Sequence, residues 1–101
     1  MTFIDANALI VLLEEGDTDS DQFFWAGGDG QLMVSGDFDG ATVSLEWANK
    51  EGDTPIALDD SVSFTAAGTV VFTLAPGWIS AHVVNAGGTT ALDVLVKRIP
   101  A

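Results

Sequence analysis

His82 is the only histidine in this chain of 101 residues, so a Ser-His-Asp relay would have to use it. Strand alternation puts it on one face with Trp78, Ser80 and Val84, where an ordinary surface or interface histidine is the expected reading. Zinc finds few donors, because one histidine and no cysteine leave only carboxylates as further ligands. The lack of cysteine also removes a thiol nucleophile and any disulfide framework. Oxygen donors are plentiful. The tract Asp17-Thr-Asp-Ser-Asp21 sets carboxylates at alternate positions, as the opening of a calcium loop does. It departs from the EF-hand pattern, with Gln22 in place of the sharp-turn glycine and Gly28 in place of the bidentate glutamate. A solvated acidic turn is therefore expected, and Asp17, Asp19 and Asp21 form only a weak calcium candidate. Residue types alone would allow a carboxylate-pair glycosidase. No acidic pair stands out, however, and a small chain offers little scaffold for a cleft. Gly27-Gly-Asp-Gly30 lacks the lysine and following helix of a phosphate loop. The expectation is a non-enzyme with no catalytic residue, no cofactor and no small-molecule substrate.

Charge narrows the partners. Fifteen acidic residues oppose three basic ones, giving a formal net charge of -12. Lys50, Lys97 and Arg98 cannot build a patch for phosphates, so neither nucleic acid nor an anionic membrane is an expected partner. The acidity suits solubility, or docking on a basic protein surface. The apolar run Ala8-Leu-Ile-Val-Leu-Leu13 is too short to span a bilayer. No basic residue precedes it and Glu14-Glu15 follow it, so it does not resemble a signal peptide. Hydrophobic residues make up 48% of the chain, with a mean hydropathy of +0.34. For one small domain, that excess implies a tightly filled core or surface buried against a partner.

The elements that must position these groups are short alternating strands. Residues 1–7 read as an N-terminal arm or edge strand. Leu9 to Glu15 suits a buried strand better than a helix capped by Asp5, since everything downstream is β. Gln22 to Ala26 is a short aromatic strand, and Gly27 to Gly30 a tight turn. Asp39-Gly40 signals a hairpin joining strands Gln31–Phe38 and Ala41–Ala48. Val43, Leu45 and Trp47 point one way along the second of these, and Thr42, Ser44 and Glu46 the other. Pro55 to Leu58 is an edge strand, and Val62 to Thr65 follows. Val70, Phe72 and Leu74 share a face of the next strand. Trp78–Asn85 and Thr90–Ile99 read as a final hairpin around Ala86-Gly-Gly-Thr89. The last strand turns Leu92, Val94 and Val96 inward, while Leu95 sits on the outer face with Asp93 and Lys97. The sum is one all-β domain over residues 1–101, an antiparallel β-sandwich or jelly-roll-like fold of about eight short strands rich in hairpins. Trp47 reads as core. Trp25 and Trp78 each fit either plain packing or an exposed rim.

Several segments carry a resemblance. They are Phe23-Phe-Trp-Ala-Gly-Gly28, Gly36-Asp-Phe-Asp-Gly-Ala-Thr-Val-Ser-Leu-Glu-Trp47, the loop holding Gly52-Asp-Thr54, Ala66-Ala-Gly68, Leu74-Ala-Pro-Gly-Trp-Ile-Ser-Ala-His-Val-Val84 and the terminal Lys97-Arg-Ile99. Together they are similar to short virion structural proteins of tailed bacteriophages. The resemblance implies a capsid decoration, or cement, protein on the outer capsid surface of a virion, made in the host cytoplasm. Its implied partners are the major capsid protein and copies of itself, as a homotrimer over capsomer junctions. Implied contact elements are the apolar arm at Phe3 and Ile4, which could add a strand to a neighbour's sheet, with Trp25, Trp78 and Leu95. A tail, neck or fibre module and a lectin-like carbohydrate-binding module are the alternatives.

Overall fold

A computed structural model describes residues 9–58 and 62–99. Nine strands lie within them: β1 (Leu9–Gly16), β2 (Phe23–Trp25), β3 (Gly28–Asp37), β4 (Thr42–Ala48), β5 (Ile56–Ala57), β6 (Ser63–Phe64), β7 (Gly68–Leu74), β8 (Gly77–Val84) and β9 (Ala91–Arg98). The segment that could have been helix or strand is β1, paired along β9. The arm at residues 1–7, with Phe3 and Ile4, lies outside the described residues.

One sheet has the order β1-β9-β3-β7 and the other β2-β8-β4-β5, with β6 also on β4. Pairing is antiparallel throughout, and it is nested. β1 takes β9, β2 takes β8, β3 takes β7, and β4 takes β5 and β6 along one edge. The chain is thus one long hairpin, with its tip at the β4–β5 loop, wrapped until its two arms form a sandwich. This is the jelly-roll order. β5 and β6 together stand where an unbroken strand would complete it.

Wrapping overturns the expectation of many local hairpins. Among the described residues only β4 and β5 are consecutive strands that pair. Asp39-Gly40 does make the expected tight turn: φ is 43° and 85° at its two residues, and Ala41 N–H donates to the Phe38 carbonyl at 2.8 Å. The strands leaving it part, because β3 already has β7 and β9 on its two edges, and β4 pairs with β8. Val34 and Val43, from opposite layers, are then both buried in the shared core. The expected hairpin of residues 78–99 fails for the same reason, since β8 and β9 belong to different sheets. A turn motif sets a local reversal of direction, while burial of both inner faces decides which sheet receives the next strand.

Gly27 to Gly30 is likewise more than a turn. Gly27 and Gly28 have φ of 95° and 97° and carry the chain between layers, yet Gly28 is already paired with Leu74 and Gly30 with Phe72. At Gly30 an added Cβ would sit 2.6 Å from the Phe72 ring and 2.7 Å from the Trp25 indole. The missing side chain lets those rings pack on β3, 5.3 Å apart and tilted by 50°. They close one end of a core built from Leu32, Val34, Leu92, Val94 and Val96 on one side and Val43, Leu45, Ile79 and Ala81 on the other. At β1 the register shifts between Val11 and Leu13, and the buried Leu12 enters this core.

Two loops lock the opposite end. The Asp39 carboxylate accepts the Thr89 N–H at 3.0 Å, and the Thr90 hydroxyl donates to the Phe38 carbonyl at 2.8 Å. The hydrogen bond from Thr89 holds the Asp39 carboxyl below the usual aspartate range.

Gly30→Ala should destabilise the fold by about 1–3 kcal/mol in urea titration, through overpacking against the two rings. Gly88→Ala, whose added methyl meets nothing within 4 Å, should leave the midpoint unchanged. Because the folded Asp39 pKa is depressed, its contribution is present above the unfolded value and is lost as pH falls through the folded one. The acid-side fall in Tm should therefore be shallower in Asp39→Asn than in the wild type.

Candidate interaction surface

The outer face of the four-stranded sheet departs most from the rest of the surface. Strand alternation brings two rows of side chains there. Val11 lies opposite Leu95, Leu95 opposite Met33, and Met33 opposite Thr69. Beside this row, Leu9 lies opposite Lys97, Lys97 opposite Gln31, and Gln31 opposite Val71. Leu9, Val11 and Val71 are 53%, 42% and 60% exposed. Gln31 satisfies part of its amide locally, donating to the Thr69 hydroxyl at 2.8 Å.

Neither row contains a carboxylate, in a chain with fifteen acidic residues. Asp93 and Asp29, the acids that flank the two rows, are engaged as acceptors. Asp93 accepts the Glu15 N–H at 3.0 Å, and Asp29 accepts the Thr73 hydroxyl at 2.6 Å. Such a face can be dried against a partner without stripping water from unpaired carboxylates. Leu95, singled out from its position in the sequence, sits in the middle of it. Val11, Met33 and Val71 complete the face but were not anticipated as contacts. The signal for Val71 was present, since Val70, Phe72 and Leu74 share the inner face and Val71 must point outward.

The other sheet shows a different outer surface. Phe24 is 56% exposed and meets Trp78 edge to face, with ring centroids 5.6 Å apart at 67°. Trp78 is partly exposed, as the rim reading allowed. Trp25 corrects that reading: it is only 2% exposed and belongs to the core, because β2 turns alternate residues inward and Phe24 takes the outer position. Among the described residues the buried Trp25 indole N–H has no hydrogen-bond partner, and its ring packs against Phe72 instead. Trp47 is partly buried against the core, and its indole N–H donates to the Ala75 carbonyl at 3.1 Å. Beside the aromatic pair the Gln22 side chain clamps the β4–β5 loop, accepting the Gly52 N–H at 2.7 Å and donating to the Asp53 carbonyl at 3.1 Å.

The acidic tract is pinned along β8. Ser20 N–H donates to the Ala81 carbonyl at 2.9 Å, and the Ala81 N–H donates to the Ser20 hydroxyl at 2.8 Å. Asp19 accepts the Val83 N–H at 2.8 Å, and its carboxylate lies 3.1 Å and 3.2 Å from His82 Nδ1. This contrasts with a calcium loop, in which Asp17, Asp19 and Asp21 would converge. Among the described residues no three His, Asp or Glu side chains gather to hold a metal. Asp19 spends its oxygens on a strand edge instead, as a cap.

Asp19 and His82 supply two parts of a hydrolytic relay. Ser44 lies opposite His82 across β4 and β8, but among the described residues no serine hydroxyl hydrogen-bonds the imidazole. Nor does the open sheet surface gather backbone donors for an oxyanion. The arrangement ties a loop to a strand. No protein-family model, curated protein or solved structure matches this chain.

Asp19→Ala should lower stability by about 1 kcal/mol in thermal or urea unfolding, since the Val83 N–H loses its partner but remains near water. Adding calcium or a chelator should leave the wild-type Tm unmoved. A rise in Tm with calcium would show that the tract turns outward to hold a cation.

Proposed function

We propose that this chain is a non-enzymatic virion structural module of a tailed bacteriophage, a decoration protein that binds the outer capsid shell and stabilises it. The observation that carries the binding reading is the pair of neighbouring rows around Leu95 on the outer face of the four-stranded sheet, which hold no carboxylate in a strongly acidic chain. The phage assignment is supported by the resemblance of the Gly36–Trp47 and Leu74–Val84 segments. A jelly roll alone would not choose between virion and lectin roles, because the fold hosts both.

In this reading the Leu95 face is laid on the major capsid protein, and the acidic loops face outward or meet basic groups at the contact margin. A protein that binds only the assembled shell shifts the balance away from rupture by mass action. Drying a preformed sheet face needs little ordering of the module, which favours affinity over an equally large mobile surface.

Cryo-electron microscopy of the particle that carries this protein tests the assignment. Density on the outer shell in high copy number, with the Leu95 face inward, is the expected result. Density at the tail or neck would overturn the decoration role in favour of an accessory tail module. With purified shells, Leu95→Glu should weaken binding at least tenfold in a co-sedimentation assay while the isolated protein keeps its circular dichroism spectrum. Unchanged binding would remove this face from the contact.

A further inference from the structure

The four sheet edges are not treated alike. β1 is interrupted by two register shifts and carries Glu14 and Glu15. β2 is only three residues long, and Ser20 and Asp19 beside it cover the adjoining stretch of β8. β5 and β6 are two residues each. These are the usual devices that keep an exposed edge from recruiting another strand: bulges, charge and brevity. β7 has none of them. Its seven residues, Gly-Thr-Val-Val-Phe-Thr-Leu, contain no charge and no proline. They pair with β3 in unbroken register from Val34↔Gly68 to Gly28↔Leu74. Among the described residues no strand takes the other edge.

The sequence of β7 is also symmetric in type about Val71. Folded antiparallel on a copy of itself with Val71 at the centre, Thr69 lies opposite Thr73 and Val70 opposite Phe72. Threonine pairs and aromatic–β-branched pairs are favourable cross-strand neighbours. The two faces also match. Thr69, Val71 and Thr73 are on the exposed side, while Phe72 is buried and Val70 half-buried on the core side. A two-fold axis normal to the sheet keeps outer residues with outer and inner with inner.

We propose that β7 pairs antiparallel with β7 of a second copy of this chain, across a two-fold axis at Val71. The contact joins two four-stranded sheets into one continuous sheet. The second copy's Phe72 then covers Val70 at the open end of the core. The row Leu9–Lys97–Gln31–Val71 continues into the same row of its mate, so this carboxylate-free row doubles in length, while the Leu95 row runs on into the second copy's Thr73 and Asp29. Each chain carries a net charge of -12, and the copies repel at long range. β7 is a place where they can meet without opposing carboxylates, and added salt should strengthen the contact by screening the rest. This pairing stands independently of what the outer face binds. It differs from the trimer that the resemblance implies, and the mass of the native species separates the two.

Sedimentation analysis over a wide dilution series tests it. The expected species has twice the 10.5 kDa chain mass, and its share rises with ionic strength. Val71 is 60% exposed, so Val71→Lys should keep the monomer fold by circular dichroism. It sets two like charges directly opposite and should reduce the mass to that of one chain. The chain has no cysteine, so Val71→Cys gives a second readout that does not depend on the lysine variant. Under mild oxidation it should form a covalent dimer much faster than Val84→Cys, which lies on the other sheet. A monomer at every concentration and salt, a trimer, a dimer untouched by Val71→Lys, or equal cross-linking at both positions would each overturn the proposal.

Discussion

The inner faces of the two sheets can be dried against each other only if the chain crosses between layers at most of its turns, and the remaining architecture follows from that constraint. Each crossing sends the next strand away from the one before it, so partners come from the far half of the chain. Leu92, Val94 and Val96 show the consequence most clearly. They lie on β9, which fills the gap between β1 and β3 and supplies the centre of one core wall. Until β9 arrives, β1 has no partner and β3 has only β7. A fold whose pairings are this non-local closes long loops before it gains their contacts, which places it among the slow folders for its size.

The acidic residues are fitted around this frame as local acceptors. Asp39 ties the β3–β4 turn to the β8–β9 loop, Asp19 caps the edge of β8, Asp93 holds the bulged end of β1, and Asp29 holds Thr73. A carboxylate at a loop or margin keeps its water and still satisfies a backbone or hydroxyl donor. The same group in the middle of a flat sheet would bar close approach by any partner. The division between acidic margins and a carboxylate-free face is therefore a property of where the loops fall. It is also what makes one face of an otherwise self-repelling molecule suited to contact.

Face and edge belong together. The outer face of the four-stranded sheet ends at β7, which is also the unguarded edge, and Val71 belongs to both. Pairing at the edge enlarges the face, and a larger rigid face needs less ordering per unit of surface when it meets a partner. Neither feature depends on a pocket or a reactive side chain.

Residue types and their alternation were enough to read the all-β class, the strand character of Leu9–Glu15, the inward set Leu92, Val94 and Val96, and the outward Leu95, because a period of two is a property of consecutive residues. The tight turn at Asp39-Gly40 was legible for the same local reason. Which strands pair was not, since sequence neighbours Phe38 and Ala41 head toward different sheets once both edges of β3 are taken. The placement of Trp25 was also out of reach: its burial depends on Gly30 and Phe72, which meet it only when β2 and β3 lie in opposite layers. The tract Asp17–Asp21 was read as a solvated acidic turn and only a weak calcium candidate, because spacing shows donors but not what they face, and what Asp19 faces is Val83 and His82. Of the outer face around Leu95, only Leu95 itself had been singled out in the sequence. Its neighbours Val11, Met33 and Val71 come from strands as far away in the chain as position 11 is from position 95, and it is the tertiary pairing of those strands that makes four separate side chains into one face.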